Sequence, residues 1–240
     1  DQSMYHHSPR HENLGAAAYR LTAQAQERGV YSFCMCPGGL IVPASTAPGE
    51  LVVNGMSLSK RDSLYSNSGV VVELHEHDIP DYQGVPKCFK GWEFQRRIEQ
   101  KLFNHGDGSQ RAPAQFLKDF MKGKQSVKPL PDSSYIPGLY SAPIHELLPD
   151  FIVSRLREGF REFNLKMKGY IHDQAILVGV ESRTSSPVRI PRGKNFEHNQ
   201  LTGLFPCGEG AGYAGGIISA ALDGMNVAKA IYERIEPIKS

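Results

Sequence analysis

The densest chemical signal in the sequence is a glycine-rich stretch between Cys207 and Ile217. Its glycines surround one acidic residue, Glu209, and are Gly208, Gly210, Gly212, Gly215 and Gly216. After them, apolar residues recur at helical spacing as far as Ile231, which predicts a helix. The first turn of a helix has backbone N–H groups without intrahelical partners, and glycine lets a ligand come close to them. The pattern therefore predicts a turn that binds an anionic ligand.

Two interpretations of this turn are open. Residues 210–215 match the GxGxxG pattern, but a complete dinucleotide fingerprint continues into a second strand with an acidic residue about 20 residues further on. The sequence instead ends at Ser240, soon after the predicted helix. We therefore expect half of a nucleotide site, preceded by a short strand at residues 203–206. In the alternative interpretation, the glycines only allow the helix to pack closely against that strand.

Two cysteines one residue apart, Cys34 and Cys36, are the second candidate for chemistry. They lie in an apolar run that predicts a strand, and alternate residues of a strand share one face. The pair could then exchange electrons as thiols, or Cys36 could act as a nucleophile. Packing is the alternative, because cysteine is among the most frequently buried residues. Cys88 and Cys207 are isolated in the sequence, so we predict no metal site.

Basic residues exceed acidic ones in the middle of the chain. Between Lys87 and Lys128 there are ten Lys or Arg residues and four Asp or Glu residues. Such a stretch could bind phosphate or RNA, and Arg96, Arg97 and Lys101 are the residues that would test this. The alternative is a solvated set of helix faces, which often has the same composition.

The overall composition is that of a folded protein with one or two domains. The chain has 240 residues, of which 40% are hydrophobic, and its formal net charge is +2. No apolar run approaches the roughly 18 residues of a membrane span, so we expect no membrane partner. Four cysteines in a chain of this length do not resemble a secreted disulfide framework, and we expect a reduced, cytoplasmic protein. The sequence does not begin with methionine, and together with the motifs this favours a piece of a longer protein.

The spacing of apolar residues predicts an α+β fold with a mixed sheet and a helical insertion at about residues 88–168. Pro48 and Gly49 predict a turn between the two arms of a hairpin. The predicted strands are at residues 19–23, 30–36, 40–42, 51–53, 70–74 and 175–180. The predicted helices are at residues 92–103, 114–121 and 147–163.

The segment from Gly203 to Gly224 resembles the closing flavin motif of flavoproteins with two dinucleotide-binding domains. It is most similar to a family of uncharacterised FAD-dependent dehydrogenases. Residues 33–39, and residues 53–57 with Arg61, resemble the substrate-domain signatures of this family. Residues 181–190 resemble the segment that returns the chain to the flavin domain. The resemblance implies that residues 1–175 form a substrate-type domain and residues 176–240 the C-terminal part of an FAD-binding domain.

The resemblance also implies roles for the matching residues. Glu209 would accept a hydrogen bond from the ribityl chain of FAD, and the backbone after it would face the pyrophosphate or the flavin ring. The implied cofactor-binding residues are Arg183, Thr184, Ser185, Gly208, Glu209, Gly210, Ala211, Gly212, Tyr213, Gly215, Gly216 and Ile217. The implied substrate-side residues are Cys34, Cys36, Pro37, Gly38, Gly39, Asn54 and Met56. Cys36 and Arg61 are the candidates for a catalytic role.

The function implied for the intact protein is hydride transfer through FAD to or from an unknown small-molecule substrate. The family's glycine-rich Rossmann turn, which binds the ADP half of FAD, does not occur in this sequence. We therefore expect an upstream Rossmann segment to complete the site, and this chain alone to lack FAD and activity. Two other functions are open: a flavoprotein that modifies tRNA, and a non-catalytic interaction module on a flavoprotein scaffold.

Overall fold

The computed structural model describes residues 21–36 and 38–235. The strands in these residues are β1 Leu21–Ala25, β2 Arg28–Cys36, β3 Gly39–Pro43, β4 Val53–Ser57, β5 Asn67–Val72, β6 Ala112–Phe116, β7 Leu139–Ser141 and β8 Ile176–Val178. The helices are α1 Lys90–His105, α2 Leu117–Lys122, α3 Ile144–Leu147, α4 Asp150–Lys166 and α5 Ile217–Ile235. This mixture of helices and sheets confirms the predicted α+β class. Among the described residues, no helix has the length and apolar character needed to cross a membrane.

The first sheet contains three antiparallel strands in the order β1-β2-β5. The turn between β1 and β2 consists of Gln26 and Glu27, whose φ angles are 49° and 61°. Such left-handed pairs suit two-residue hairpins because their twist matches that of the flanking strands. The strands predicted in this part of the sequence are confirmed where the structure describes them.

Helix α4 covers this sheet with buried aromatic side chains. Phe160 and Phe163 belong to one hydrophobic core with Val30 of β2 and Phe120 of α2. The closest approach is at Gly159, where a Cβ would lie 2.5 Å from Cγ1 of Val30. A side chain at this position would therefore push the helix away from the sheet.

A second hydrophobic core lies between the hairpin of β3 and β4 and a further sheet in the order β7-β6-β8. Strand β6 is parallel to β7 and antiparallel to β8. The hairpin is confirmed, although Pro43 pairs with Val53 and the connecting loop is longer than the predicted turn. Beyond β8, the Val53 N–H donates to the Val180 carbonyl at 2.9 Å, which fixes the backbone beside Glu181.

The described chain divides into two compact units. Unit 1 contains the residues up to Leu74 and those from Arg97 to Glu181, and it includes all the strands named above. Unit 2 contains residues 75–96 and the chain from Ser182 onward, with the first turns of α1, long loops and α5. The domain boundary that we placed before residue 176 stays a prediction.

Three local predictions are wrong. Residues 114–116 lie in β6 and not in a helix, because β7 and β8 pair with this segment and its side chains are mostly buried. The helix predicted from Leu147 is interrupted, since Pro149 immediately precedes α4 and Leu147 belongs to the separate α3. Residues 203–206 form no strand: Gly203 has a φ of 83°, and no neighbouring strand in the described chain pairs with them.

Candidate functional site

The glycine-rich turn in unit 2 folds back on itself immediately before α5. The N–H of Gly212 donates to the Glu209 carbonyl at 2.9 Å, and the N–H of Tyr213 donates to the Gly208 carbonyl at 3.0 Å. Gly208 and Gly212 have φ angles of 72° and 81°, which side chains other than glycine adopt at a cost. These two glycines are therefore required by the backbone conformation of the turn.

The remaining glycines of the turn have no such internal reason. A Cβ at Gly210 or Gly215 would have no heavy atom within 4 Å, and one at Gly216 would make only ordinary contact at 3.9 Å. Within the turn, only Gly212 allows close packing, because a Cβ there would lie 2.9 Å from the Val188 carbonyl oxygen. Close packing therefore does not explain why this stretch contains so many glycines. The open space beside Gly210 can admit a ligand close to the backbone.

The segment from Ser186 to Ile190 holds the turn by hydrogen bonds. The Ser186 hydroxyl lies 3.1 Å from the Gly210 carbonyl oxygen, and the Ile190 N–H donates to the Ala211 carbonyl at 3.2 Å. The Tyr213 hydroxyl donates to the Ile190 carbonyl at 2.9 Å. The turn is therefore attached on one side to a second loop rather than to a sheet.

A nearly buried ion pair fixes the other side of the turn. Two nitrogens of the Arg192 guanidinium lie 2.5 and 3.0 Å from the carboxylate oxygens of Asp223 in α5, and the two side chains are 9% and 12% exposed. The same carboxylate accepts a hydrogen bond from the Gly208 N–H at 2.9 Å, and Arg192 also donates to the Pro206 carbonyl at 2.7 Å. The hydrogen bond from Arg192 holds the pKa of Asp223 below its usual range and raises the pKa of Arg192 in turn. This pair connects the start of the turn to α5.

Helix α5 exposes most of its apolar side chains. Val227 is its buried residue, whereas Ile217 is 88% exposed and Met225 is 67% exposed. Gly224, in the middle of the helix, has no heavy atom within 4 Å of where its Cβ would be. A glycine inside a helix weakens the helix by about 1 kcal/mol relative to alanine. A row of exposed Ile, Leu and Met beside such a glycine is typical of a helix that packs against another part of a protein.

The structure places the predicted cofactor residues only partly together. Ser186 touches the turn, and of the predicted residues just before it Arg183 and Ser185 are exposed and Thr184 is half-buried. Gln95 Nε2 donates to the Ser182 carbonyl at 2.8 Å and holds the start of this loop. The Glu209 carboxylate is exposed, as a role in binding a ligand requires. These cofactor assignments stay predictions.

The predicted substrate-side residues lie together in unit 1. Gly39 packs closely on its surroundings, because a Cβ there would lie 2.5 Å from the Met56 carbonyl oxygen and 2.6 Å from Cβ of Cys36. A Cβ at Gly38 would likewise lie 2.6 Å from the Arg61 carbonyl oxygen. Asn54 is exposed on the same hairpin, in β4. Pro37 lies outside the described residues. These residues share a location, but their role toward a substrate stays a prediction.

The expectation that Cys34 and Cys36 share one face is wrong. The pairing of β2 with β5 shifts between Phe33 and Cys36, and Cys34 has a φ of 47° in this bulge. As a result Cys34 is exposed while Cys36 is buried, with its thiol 3.3 Å from the Cys34 carbonyl oxygen. A bulge adds an unpaired residue to a strand, and this breaks the alternation on which the expectation rested.

Four residues that have clear roles in the structure have no role that the sequence alone predicts. Arg192 and Asp223 are far apart in the chain, so nothing in their spacing indicated an ion pair. For Arg189 the sequence shows only that it belongs to a segment that resembles the family. Glu181 follows the apolar strand β8, and its carboxylate oxygen lies 2.4 Å from where a Cβ of Gly69 would be. Burial raises the pKa of Glu181, and an acid directly after an apolar strand is the signal that could have indicated it.

Many basic residues of the central stretch are paired with acids. Lys90, Arg96, Arg111 and Lys118 each form an ion pair, with distances from 2.5 to 3.7 Å. Lys101 is close to the Glu146 carbonyl oxygen, at 3.2 Å. RNA binding by this stretch stays a prediction. In the part of the chain that the structure describes, no group of three or more His, Cys, Asp or Glu side chains is placed to hold a metal ion.

The open glycine turn, fixed to a helix by an ion pair, leaves backbone groups that an anionic ligand can approach. Comparison with known proteins identifies the family from the part of the chain that precedes this turn. Residues 1–184 match the family described as FAD-dependent protein, C-terminal domain-like. The chain therefore belongs to this family. The matched region ends before the glycine-rich turn, so the turn itself is not part of the family match.

A relative in Clostridium beijerinckii is described as "Uncharacterized protein". It is 45% identical to this chain over an alignment of 239 positions, and the alignment covers 98% of the chain and 44% of the relative. The chain thus spans less than half the length of the curated relative that it matches. This alignment includes the glycine-rich turn and α5, which the family match does not reach.

Proposed function

We propose that the intact protein is an FAD-dependent oxidoreductase and that this chain supplies one wall of its flavin site. Membership of an FAD-dependent family supports the cofactor. The open glycine turn is the observation that supports this position for the flavin site. Gly210 and Gly215 have neither a left-handed backbone nor a close neighbour there. Glycines without an internal reason are best explained by a ligand that must approach the backbone.

A second part of the same protein completes the site in this proposal. The chain spans 44% of the length of its relative, which leaves ample sequence for a Rossmann segment that binds the ADP half of FAD. The exposed apolar side chains of α5, such as Leu222 and Met225, are the surface on which that segment packs. Burial of these side chains releases about 25 cal/mol for each Å² of apolar surface removed from water.

The residues of this chain bind and orient the cofactor. The exposed Glu209 carboxylate accepts a hydrogen bond from a hydroxyl of the ligand, and the backbone N–H groups near Gly215 face its anionic part. Asp223 and Arg192 keep the turn in its conformation before the ligand arrives, which lowers the cost of binding. FAD, when bound, supplies the acceptance and donation of hydride.

The test is the cofactor content of the purified full-length protein. We expect a yellow protein whose released cofactor is FAD by chromatography and mass spectrometry, and whose absorbance bleaches on reduction. A full-length protein without flavin, even after incubation with FAD, would contradict the proposal and favour a non-catalytic module. The substrate is then sought by screening small molecules for bleaching of the bound flavin without air.

A further inference from the structure

Arg189 lies beside the glycine-rich turn on a backbone that is fixed in place. A Cβ on Gly212 would be 3.1 Å from Cα and 3.2 Å from Cβ of Arg189, so the two backbones are in close contact. The next residue, Ile190, exchanges hydrogen bonds with the turn through its N–H to Ala211 and its carbonyl to Tyr213. The root of the Arg189 side chain therefore has a defined position relative to the turn.

The guanidinium of Arg189 is oriented by an aromatic ring of the same turn. It lies over the Tyr213 ring, with Cζ 4.4 Å from the ring centroid. Arg192 also lies over this ring, at 3.6 Å, but its donors are used by Asp223 and the Pro206 carbonyl. Arg189 is exposed, and no acidic side chain of the described chain forms an ion pair with it. The two arginines therefore differ. Arg192 stabilises the turn, whereas the N–H donors of Arg189 are available to a ligand.

A stacked guanidinium with free donors is suited to a phosphate group. Its planar fork of N–H groups matches two oxygens of a phosphate, and stacking on an aromatic ring reduces the entropy lost on binding. We propose that Arg189, positioned by Tyr213, binds the pyrophosphate of the dinucleotide cofactor. This inference rests on the proposed function, since it assigns a binding residue to the same site.

The experiment compares two ligands that differ in the pyrophosphate. Full-length protein is stripped of cofactor and titrated with FAD and with riboflavin, which has the flavin ring but no phosphate, and binding is followed by flavin fluorescence. The variants are Arg189→Gln, which removes the charge, and Arg189→Lys, which keeps it without the planar fork. Arg161→Gln is the matched control, because Arg161 is exposed on α4 in unit 1.

We expect Arg189→Gln to weaken FAD binding by about 10- to 100-fold, as for the loss of a charge-assisted hydrogen bond, and to leave riboflavin binding within about twofold. Arg189→Lys should lie between the wild type and Arg189→Gln, and Arg161→Gln should match the wild type. If Arg189→Gln is unstable, Arg189→Lys serves as the test. Its affinity for FAD relative to riboflavin should then be lower than that of the wild type.

Two results would overturn the inference while leaving the proposed function of the intact protein standing. One is unchanged FAD affinity in Arg189→Gln, which would mean that the guanidinium serves another anion, such as a substrate carboxylate. The other is an equal loss for FAD and riboflavin, which would mean that Arg189 only supports the fold of the turn. A wild-type protein that binds neither ligand would refute the proposed function, and this inference with it.

Discussion

Replacement of Asp223 by asparagine tests whether the ion pair with Arg192 holds the glycine-rich turn. The wild-type carboxylate accepts two hydrogen bonds from the Arg192 guanidinium and one from the Gly208 N–H. Asparagine has nearly the same shape, but it is neutral and has a single acceptor oxygen. The change therefore removes the charge and at least one hydrogen bond without creating a large cavity.

The size of the effect follows from the burial of the pair. Exposed ion pairs contribute about 0–1 kcal/mol, and breaking a fully buried pair costs about 3–5 kcal/mol. With side chains 9% and 12% exposed, this pair lies toward the buried limit, and we expect a loss of about 2–3 kcal/mol. This corresponds to about 30- to 150-fold more frequent opening of the turn.

Amide hydrogen exchange of this chain at Gly208 measures that opening directly. Exchange should accelerate by the stated factor in Asp223→Asn. Glu233→Gln, on the same helix and in an exposed ion pair with Lys229, should change exchange less than twofold. Unchanged exchange in Asp223→Asn would refute the account of the turn, because it would mean that the ion pair does not stabilise it.

The pKa of Asp223 gives this prediction a pH dependence. Because the folded-state pKa lies below the unfolded value of about 3.9, the stabilisation is present above that pH and is lost as pH falls through the folded-state value. After correction for intrinsic exchange rates, opening in the wild type should be constant from neutral pH to about 5 and increase in stronger acid. Asp223→Asn should show a smaller increase, and an equal one would contradict the assignment.

Further predictions concern stability and cofactor content. Gly159→Ala should lower the free energy of unfolding by about 1–2 kcal/mol, since the added methyl would meet Val30, while Gly224→Ala should raise it by up to about 1 kcal/mol in this chain. Chemical denaturation checks both, and equal effects would contradict the packing described. Burial raises the pKa of Glu181 above its unfolded-state value. The free energy of unfolding should therefore fall as pH rises from the unfolded-state pKa of Glu181 to its folded-state pKa. Glu181→Gln should therefore be more stable than the wild type at pH 7 and equal to it near pH 4, by denaturation at both pH values. This chain, purified alone, should be colourless, and a flavin absorbance spectrum would overturn that expectation.

Much of the architecture could be predicted from local patterns. The strands around Val30 and Val71, the helix containing Trp92 and the final helix all follow from apolar spacing and from the turn residues that end each element. The glycine-rich turn was also recognisable, because its glycines are adjacent in the sequence. Such features are determined by residues that are close together in the chain, so a short window of sequence is enough to predict them.

The errors occur where distant segments decide the local structure. Ala114 has a good helix propensity but lies in β6, because β7 and β8 supply hydrogen bonds on both sides of that strand. The bulge that separates Cys34 from Cys36 arises from the pairing of β2 with β5, more than thirty residues later. The pair of Arg192 with Asp223 is likewise long-range. No window of local sequence contains the partner in any of these cases.

Gly210→Val shows whether the glycine-rich turn contacts FAD in the intact protein, as we propose. A side chain there would meet no heavy atom of the described chain within 4 Å of its Cβ, so the fold of the turn should tolerate it. We measure the dissociation constant of FAD for the full-length wild type and the variant, with thermal stability as the control. We expect at least a tenfold weaker affinity for FAD with unchanged stability, because the added side chain occupies the space of the ligand. Equal affinity for FAD in the two proteins would contradict it.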